Sequence, residues 1–272
     1  MPIMNGNVTS WLMAGLAANS NAVYVAKGGN DSTGDGSMLA PYLNVDVGLA
    51  ACTANRKLIS LGPGTFSNGE ITWPTTVSGI KIIGAGTNGE TVIASATGDQ
   101  VISVTPGVQT AAFTLGLSQL VLDHNVSGQD GILLTNAAMT KALTLYLTHF
   151  GSVANALTDE TLKYVQADAT AGINTYWDGQ NGNCGGDVYL TAASADNIFK
   201  ARGVEFIAGM ETAATAKATQ LTLINCGVLA AGITGGEATQ LANALNCYSI
   251  TGATYAAFAT TDFAGSHSEV IG

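Results

Sequence analysis

Residues 221–227 read Leu-Thr-Leu-Ile-Asn-Cys-Gly, and the pair Gly232-Ile233 follows them. Residues 120–126 read Leu-Val-Leu-Asp-His-Asn-Val, and the pair Gly131-Ile132 follows at the same spacing. The first leucines of the two copies stand at positions 120 and 221. Their separation equals five steps of about 20 residues, and repeats of this length are typical of a parallel β-helix.

Short apolar segments alternate with turns along the whole chain from residue 57. The turns are rich in Gly, Asn, Asp, Ser and Thr, and no amphipathic helix of ordinary length is evident. Alternation with period two, as at Leu143, Leu145 and Leu147, indicates strands with one buried face. Aliphatic strand centres recur at intervals of about 20 residues, at Ile59, Ile82, Ile102, Val121, Leu143, Val165, Val188, Val204, Ile224 and Leu245. Alternation alone would also suit a β-sandwich, but a nearly constant step favours stacked coils.

A second echo supports the same step. Asn225-Cys226 is repeated as Asn246-Cys247 one such interval later. Stacked coils place like side chains above one another, so we interpret the two cysteines as small apolar core residues. We expect the two asparagines to stack at a bend of the chain.

Residues 1–56 differ in character from residues 57–272. We predict that they form an N-terminal cap made of a short helix at 11–18, a strand at 22–26, a turn-rich loop at 28–37 and a second helix at 45–54. Residues 57–272 then form about ten coils, and residues 253–272 close the far end.

Composition restricts the partners of the chain. Charged residues make up 10% of it, against roughly 25% in typical globular domains, and the formal net charge is -10. Nucleic acid and anionic membranes require clustered positive charge, so we expect neither as a partner. A polar surface with few charges suits a chain whose flanks are covered by copies of itself or by neighbours.

The four cysteines predict neither a disulfide framework nor a zinc site. They are scattered along the chain and no pair has C-x-x-C spacing. We therefore expect no metal and no cofactor. The apolar patch at 11–18 is not preceded by Lys or Arg, so we do not interpret it as a secretory signal.

The cap segment is similar to the entry segment of a known superfamily. Residues 21–37 read Asn-Ala-Val-Tyr-Val-Ala-Lys-Gly-Gly-Asn-Asp-Ser-Thr-Gly-Asp-Gly-Ser, Ala40-Pro41-Tyr42 follows, and residues 58–66 read Leu-Ile-Ser-Leu-Gly-Pro-Gly-Thr-Phe. This pattern resembles the strand, loop and first coil of pectin-lyase-like proteins. The resemblance implies an all-β, right-handed, single-stranded parallel β-helix. It leaves function open among lyases, hydrolases, epimerases, phage tailspikes and inert virion proteins.

The resemblance prompts a search for a carbohydrate-active site. Lyases of the superfamily use an Arg or Lys base beside calcium-binding aspartates, but neither Arg56 nor Arg202 has clustered acids near it in sequence. Hydrolases need carboxylates that converge on one sheet face, about 5 to 9.5 Å apart. Asp168, Asp187 and Glu205 lie about one coil apart and are the candidate catalytic residues. Single acids on a solvated face give the same pattern.

One loop-like segment has the composition of a sugar-contacting patch. Residues 176–183 combine two aromatic rings with several amides, and Tyr176, Trp177, Asp178 and Asn181 are the candidate ligand contacts. A virion protein can use such a segment to contact a neighbour instead. His124 and His149 are predicted at strand ends, where imidazole serves as a hydrogen-bonding group.

Taken together, these features favour a non-enzymatic structural protein of a bacteriophage particle. We expect a capsid-decorating or tail-associated protein on the virion surface that forms a homo-oligomer, with a trimer favoured, and contacts major capsid or tail proteins. Two alternatives remain open. The first is a tailspike-like glycan depolymerase, and the second is an adhesin module that binds a host-surface glycan without cleaving it.

Overall fold

The computed structural model describes residues 21–86, 90–95, 99–106, 111–124, 126–136, 139–166, 170–192, 195–214, 219–228, 233–235, 241–249, 260–262 and 267–268. Strand accounts for 58% of the structure and helix for 3%. The predicted all-β class is therefore confirmed. The predicted helix at 11–18 and most of the C-terminal cap at 253–272 lie outside the described residues.

The strands and the single helix of the described residues follow one another in this order: β1 Ala22–Val25, α1 Val45–Ala50, β2 Leu58–Leu61, β3 Gly64–Asn68, β4 Ile71–Thr72, β5 Ile80–Ile83, β6 Thr91–Ser95, β7 Gln100–Val104, β8 Phe113–His124, β9 Asp130–Asn136, β10 Leu143–Ala154, β11 Glu160–Gln166, β12 Ile173–Cys184, β13 Asp187–Ala192, β14 Asn197–Phe206, β15 Met210–Ala214, β16 Thr219–Ile224, β17 Gly227–Val228, β18 Ile233–Gly235, β19 Leu241–Leu245, β20 Tyr248–Ser249, β21 Thr260–Asp262 and β22 His267–Ser268.

The strands form two sheets, and every pairing between described strands is parallel. The first sheet has 15 strands and the second has seven, in the order β18-β15-β13-β11-β9-β7-β4. From β8 to β16 the chain enters the two sheets alternately. Two neighbouring parallel strands must be joined by a crossover connection. From β8 to β16, each crossover between neighbouring strands of one sheet contains a strand of the other sheet.

The first sheet contains two rows of strands. The first row runs β1-β2-β5-β8-β10-β12-β14-β16-β19-β21. The second row contains β3, β6 and the later halves of β8, β10, β12 and β14, followed by β17, β20 and β22. The two rows meet at a bend within each long strand.

A residue in the left-handed backbone region marks this bend on successive strands. The φ angles are 55° at Gln119, 47° at His149, 44° at Gln180, and 52° at both Asn225 and Asn246. Asparagine tolerates this conformation better than most residues because its short polar side chain can hydrogen-bond locally. The expectation that the two asparagines share a bend is confirmed.

The step between stacked strands is not constant. Leu115 pairs with Leu145 and Leu145 with Thr175, so the residue number rises by 30 at each of these steps. Phe199 pairs with Leu221 and Leu221 with Ala242, so the later steps are shorter, at 22 and 21.

Only part of the predicted ladder of strand centres is therefore correct. The pairs Ile59 with Ile82 and Ile224 with Leu245 are confirmed. Ile82, however, pairs with Leu117, whereas Ile102 lies in the second sheet. Between one strand and the next of the same row, the chain passes through both rows of the first sheet and one strand of the second sheet. Apolar residues chosen at an even spacing of about 20 therefore fall on different rows and sheets.

The first sequence echo also has a different meaning from the one expected. Leu221 is aligned through Phe199, Thr175 and Leu145 with Leu115. Leu120, its counterpart in the echo, lies further along β8, beyond the bend. The two copies are therefore separated by four strand steps and are out of register.

Alternate side chains of the strands fill one continuous apolar core. Leu143, Leu145 and Leu147 on β10 are at most 1% exposed. The largest aromatic group centres on Trp177, whose ring contacts Phe150 edge-on at 5.5 Å and Phe206 edge-on at 5.7 Å between centroids. Burial of each such side chain stabilises the fold by about 1.5–3 kcal/mol.

Polar side chains tie the N-terminal segment to the sheet. The Arg56 guanidinium donates to the carbonyl oxygens of Ala22 (3.0 and 3.1 Å) and Gly36 (2.6 Å). Strand β1 pairs directly with β2. The predicted strand at 22–26 is confirmed, the helix at 45–54 is shorter than expected, and the domain boundary at residue 56 stays a prediction. Within the described residues no helix is long and apolar enough to span a bilayer.

Candidate functional site

A row of outward-facing positions crosses the first row of strands. Register aligns Lys81 with Gly116, Gly116 with Tyr146, Tyr146 with Tyr176, and Tyr176 with Lys200. The Tyr146 and Tyr176 rings stack with centroids 5.4 Å apart and planes inclined by 16°. Tyr146 is 48% exposed, so this aromatic pair lies on the surface.

Two shallow hollows flank the tyrosine pair. The first, about 340 Å³, lies where Gly116 contributes no side chain, between Lys81 and Tyr146. Because Tyr176 covers one face of the Tyr146 ring, the opposite face is turned toward this hollow. The second hollow, about 320 Å³, lies on the Tyr176 side and is lined by Asp178, Lys200, Arg202 and Thr222 among others.

Charged groups border the second hollow. Arg202 Nη2 donates to Asp178 Oδ2 at 2.5 Å. The other carboxylate oxygen, Asp178 Oδ1, has no hydrogen-bond partner among the described residues. It is therefore a buried, unsatisfied acceptor, and the exposed Lys200 lines the same hollow as Asp178. We name this surface, from Lys81 through Tyr146 and Tyr176 to Arg202, the tyrosine groove.

The predicted ligand contacts divide between surface and core. Tyr176 and Asp178 belong to the tyrosine groove. The expectation for Trp177 is wrong, because its ring is only 2% exposed and its Nε1 donates to the carbonyl oxygen of Phe150 at 3.3 Å. Adjacent residues of a strand point to opposite faces, so Tyr176 and Trp177 cannot both contact one ligand. The side chain of Asn181 lies outside the described residues.

Four residues of the tyrosine groove were not predicted from the sequence as ligand contacts: Lys81, Tyr146, Lys200 and Arg202. The longer strand step would have found the tyrosine pair, because residues 143–146 (Leu-Thr-Leu-Tyr) align with residues 173–176 (Ile-Asn-Thr-Tyr).

The two predicted catalytic carboxylates that the structure describes, Asp187 and Glu205, do not converge. Asp187 begins β13 in the second sheet, whereas Glu205 lies in β14 in the first sheet. The expectation that Asp187 and Glu205 stack on one face is wrong. The two residues lie on consecutive strands of different sheets, whereas stacked residues lie on neighbouring strands of the same sheet. Asp168 lies outside the described residues.

Asp187 instead lies beside an acidic pair of the second sheet, Asp130 and Glu160. Asp187 is the register partner of Glu160 on the neighbouring strand. Lys163 Nζ lies 3.0 Å from Asp130 Oδ2 and 3.5 Å from Glu160 Oε1. Burial and the hydrogen bond with Asp130 raise the pKa of Glu160 to about 7. The Lys163 ammonium therefore bridges Asp130 and Glu160, and both carboxyl groups belong to one ion-pair cluster.

His124 is part of a buried polar network at the end of β8. Its Nδ1 lies 3.1 Å from the carbonyl oxygen of Gln129, and its Nε2 lies 3.0 Å from Thr161 Oγ1. The Gln129 oxygen can only accept, so Nδ1 carries the proton and Thr161 donates to Nε2. The Thr161 hydroxyl also accepts from the backbone N–H of Gly186 at 3.0 Å. Burial lowers the pKa of His124, which matches the structural role predicted for it.

No family model, curated protein or solved structure matches this chain. No group of three or more His, Cys, Asp or Glu side chains that could hold a metal ion occurs in the described part of the chain. The tyrosine groove is therefore the candidate functional site of the described residues.

Proposed function

We propose that the two sheets are faces of one right-handed parallel β-helix, as the pectin-lyase-like resemblance implies. The alternation of the chain between two wholly parallel sheets supports this proposal. The hand follows from the strong preference of parallel crossover connections for right-handed geometry.

On this framework we propose that the protein is a non-catalytic surface protein that binds an extended glycan along the tyrosine groove. The observation that carries the proposal is the stacked pair formed by the exposed Tyr146 and the partly exposed Tyr176. An aromatic face can pack against the apolar C–H face of a sugar ring while polar groups nearby bind its hydroxyls.

The neighbouring side chains fit such a ligand. Lys81 and Lys200 can donate to sugar oxygens at the two ends of the groove. The Arg202 guanidinium, which is 61% exposed and paired with Asp178, can donate to a further sugar oxygen beside the second hollow. The hollows lie on both sides of the tyrosine pair, so successive sugar units would occupy successive strand steps. A chain of sugars is favoured over a single small molecule because the groove is shallow and elongated.

Glycan-array screening followed by titration calorimetry tests this proposal. We expect Tyr146→Ala to weaken binding at least about tenfold, which corresponds to about 1.4 kcal/mol. Tyr189→Ala is the matched control, because Tyr189 is a partly exposed tyrosine on the second sheet. Equal affinity of both variants would refute the site, and turnover of the bound glycan would favour the depolymerase alternative.

The place of the protein in a bacteriophage particle stays a prediction. One surface feature favours the expected homo-oligomer: Val126, Val153 and Leu157 are 42%, 48% and 52% exposed near the ends of β8 and β10. Exposed apolar clusters commonly mark contacts with other chains. Sedimentation of a trimer that Val153→Asp converts to monomers would support this role, whereas a monomer at micromolar concentration would count against it.

A further inference from the structure

Cys226 and Cys247 occupy equivalent positions on consecutive steps of the first sheet. Ile224 pairs with Leu245, and each cysteine follows two positions later, just beyond the left-handed bend. The thiols point the same way. Cys226 Sγ lies 3.4 Å from the carbonyl oxygen of Ile224, and Cys247 Sγ lies 3.5 Å from that of Leu245.

The two thiols are buried against each other. Cys226 is 0% exposed and Cys247 is 2% exposed, and both are reduced. A hydrogen bond from the Cys226 thiol to the Cys247 sulfur lowers the pKa of Cys247. The same bond, together with burial, raises the pKa of Cys226. Cys247 is therefore the better nucleophile of the pair, because the thiolate is the reactive form.

We propose that Cys226 and Cys247 form a reversible redox pair that a peroxide converts to a disulfide. The Cys247 thiolate attacks one oxygen of hydrogen peroxide, an S–O bond forms as the O–O bond breaks, and the released hydroxide takes up a proton to become water. Cys226 then attacks the sulfenic sulfur, the S–S bond forms, and the sulfenic oxygen leaves as a second water. Two thiols are oxidised to one disulfide, and one peroxide is reduced to two waters.

The register of the two strands allows a disulfide between Cys226 and Cys247, but that disulfide would be strained. Neighbouring strands lie about 4.8 Å apart, within the range of Cα separations that disulfides bridge. The Cβ atoms of a disulfide are about 3.8 Å apart, so the two strands must approach by about 1 Å locally. A strained disulfide is more easily reduced. The pair is therefore suited to a reversible link between consecutive steps of the sheet rather than to a permanent one.

Peptide mapping of the full-length chain tests the pair directly. No Lys or Arg follows Lys217, so trypsin releases residues 218–272 as one peptide that contains both cysteines and neither Cys52 nor Cys184. The folded, reduced protein is treated with hydrogen peroxide, alkylated with iodoacetamide in denaturant and digested. We expect this peptide to become about 2 Da lighter than its reduced, unalkylated form and to carry no alkyl group. Dithiothreitol should restore both alkylation sites.

Two variants give the control and the chemical order. A Cys52→Ser and Cys184→Ser double variant should oxidise like the parent chain, and Cys226→Ser should leave a sulfenic acid on Cys247 that dimedone traps. Circular dichroism verifies that each protein is folded during oxidation. A peptide 218–272 that remains doubly alkylated, a disulfide that forms only in denaturant, or a link between two chains would overturn the proposal.

Discussion

Replacement of Trp177 by alanine is predicted to destabilise the protein rather than to act on ligand binding. The indole is 2% exposed, contacts the rings of Phe150 and Phe206, and donates a hydrogen bond to the Phe150 carbonyl oxygen. Buried Trp or Phe to Ala substitutions cost about 3–5 kcal/mol, which includes the lost aromatic contacts and the cavity left behind. We expect a loss of about 4 kcal/mol in the free energy of unfolding.

Urea unfolding followed by far-ultraviolet circular dichroism measures this loss. For a chain of this size the dependence of unfolding free energy on urea is about 3 kcal/mol per M, so the midpoint should fall by about 1.3 M. Circular dichroism is preferred to fluorescence because the substitution removes one of three tryptophans.

The neighbouring residue gives a matched control. Tyr176→Ala removes an outward ring whose stacking on Tyr146 contributes about 0.5–1.5 kcal/mol, so its midpoint should fall by less than about 0.5 M. Equal midpoints for the two variants would refute the assignment of Trp177 to the core. So would a Trp177→Ala protein with unchanged stability.

Predictions at three further positions follow from the backbone and the buried polar network. Burial lowers the pKa of His124 in the folded state. The stability that neutral His124 contributes is therefore complete above its unfolded pKa of about 6.5 and is lost as pH falls below that value. The difference in melting temperature between the parent and His124→Gln should shrink from pH 7.5 to 5, and a constant difference would argue against this role of His124. Gly186→Ala should cost more than about 3 kcal/mol, because its Cβ would lie 2.0 Å from the Asp159 carbonyl oxygen, and a variant that melts with the parent would contradict this. Asn225→Gly should leave the melting temperature nearly unchanged. Asn225→Val should lower the free energy of unfolding by about 1–2 kcal/mol, because a β-branched residue opposes the left-handed conformation. Similar melting curves for the two variants would show that the bend does not depend on the residue at position 225.

Much of the strand content could be predicted from the sequence because it is encoded locally. The alternation at Leu143, Leu145 and Leu147 defines a strand with one buried face without knowledge of its partners. The Asn-Cys echo marked a true stacking relation, since Asn225 and Asn246 share a bend. Repeated residues with special backbone conformations are informative because few residue types tolerate them.

The pairing of strands could not be predicted in the same way. Strands of both sheets carry the same apolar alternation, so nothing local distinguishes Ile102 in the second sheet from Leu117 in the first. The assumption of one short, uniform step therefore missed the pair Tyr146 and Tyr176, which a longer step separates.

The same error affected the catalytic candidates. It grouped Asp187 with Glu205, although the register places Asp187 beside Glu160. Side-chain direction was a separate uncertainty. Tyr176 and Trp177 both suited a sugar-contacting segment, and only the orientation of the strand decides which ring is exposed.

The strand step varies along the chain while the strands of the first sheet stay in parallel register. It is 23 residues between Ile59 and Ile82, 35 between Ile80 and Leu115, 30 between Leu115 and Leu145, and 22 between Phe199 and Leu221. The sheet therefore accommodates connecting segments of different length between its strands. Insertions between strands should be tolerated far better than insertions within them, because only the latter shift which side chains face the core.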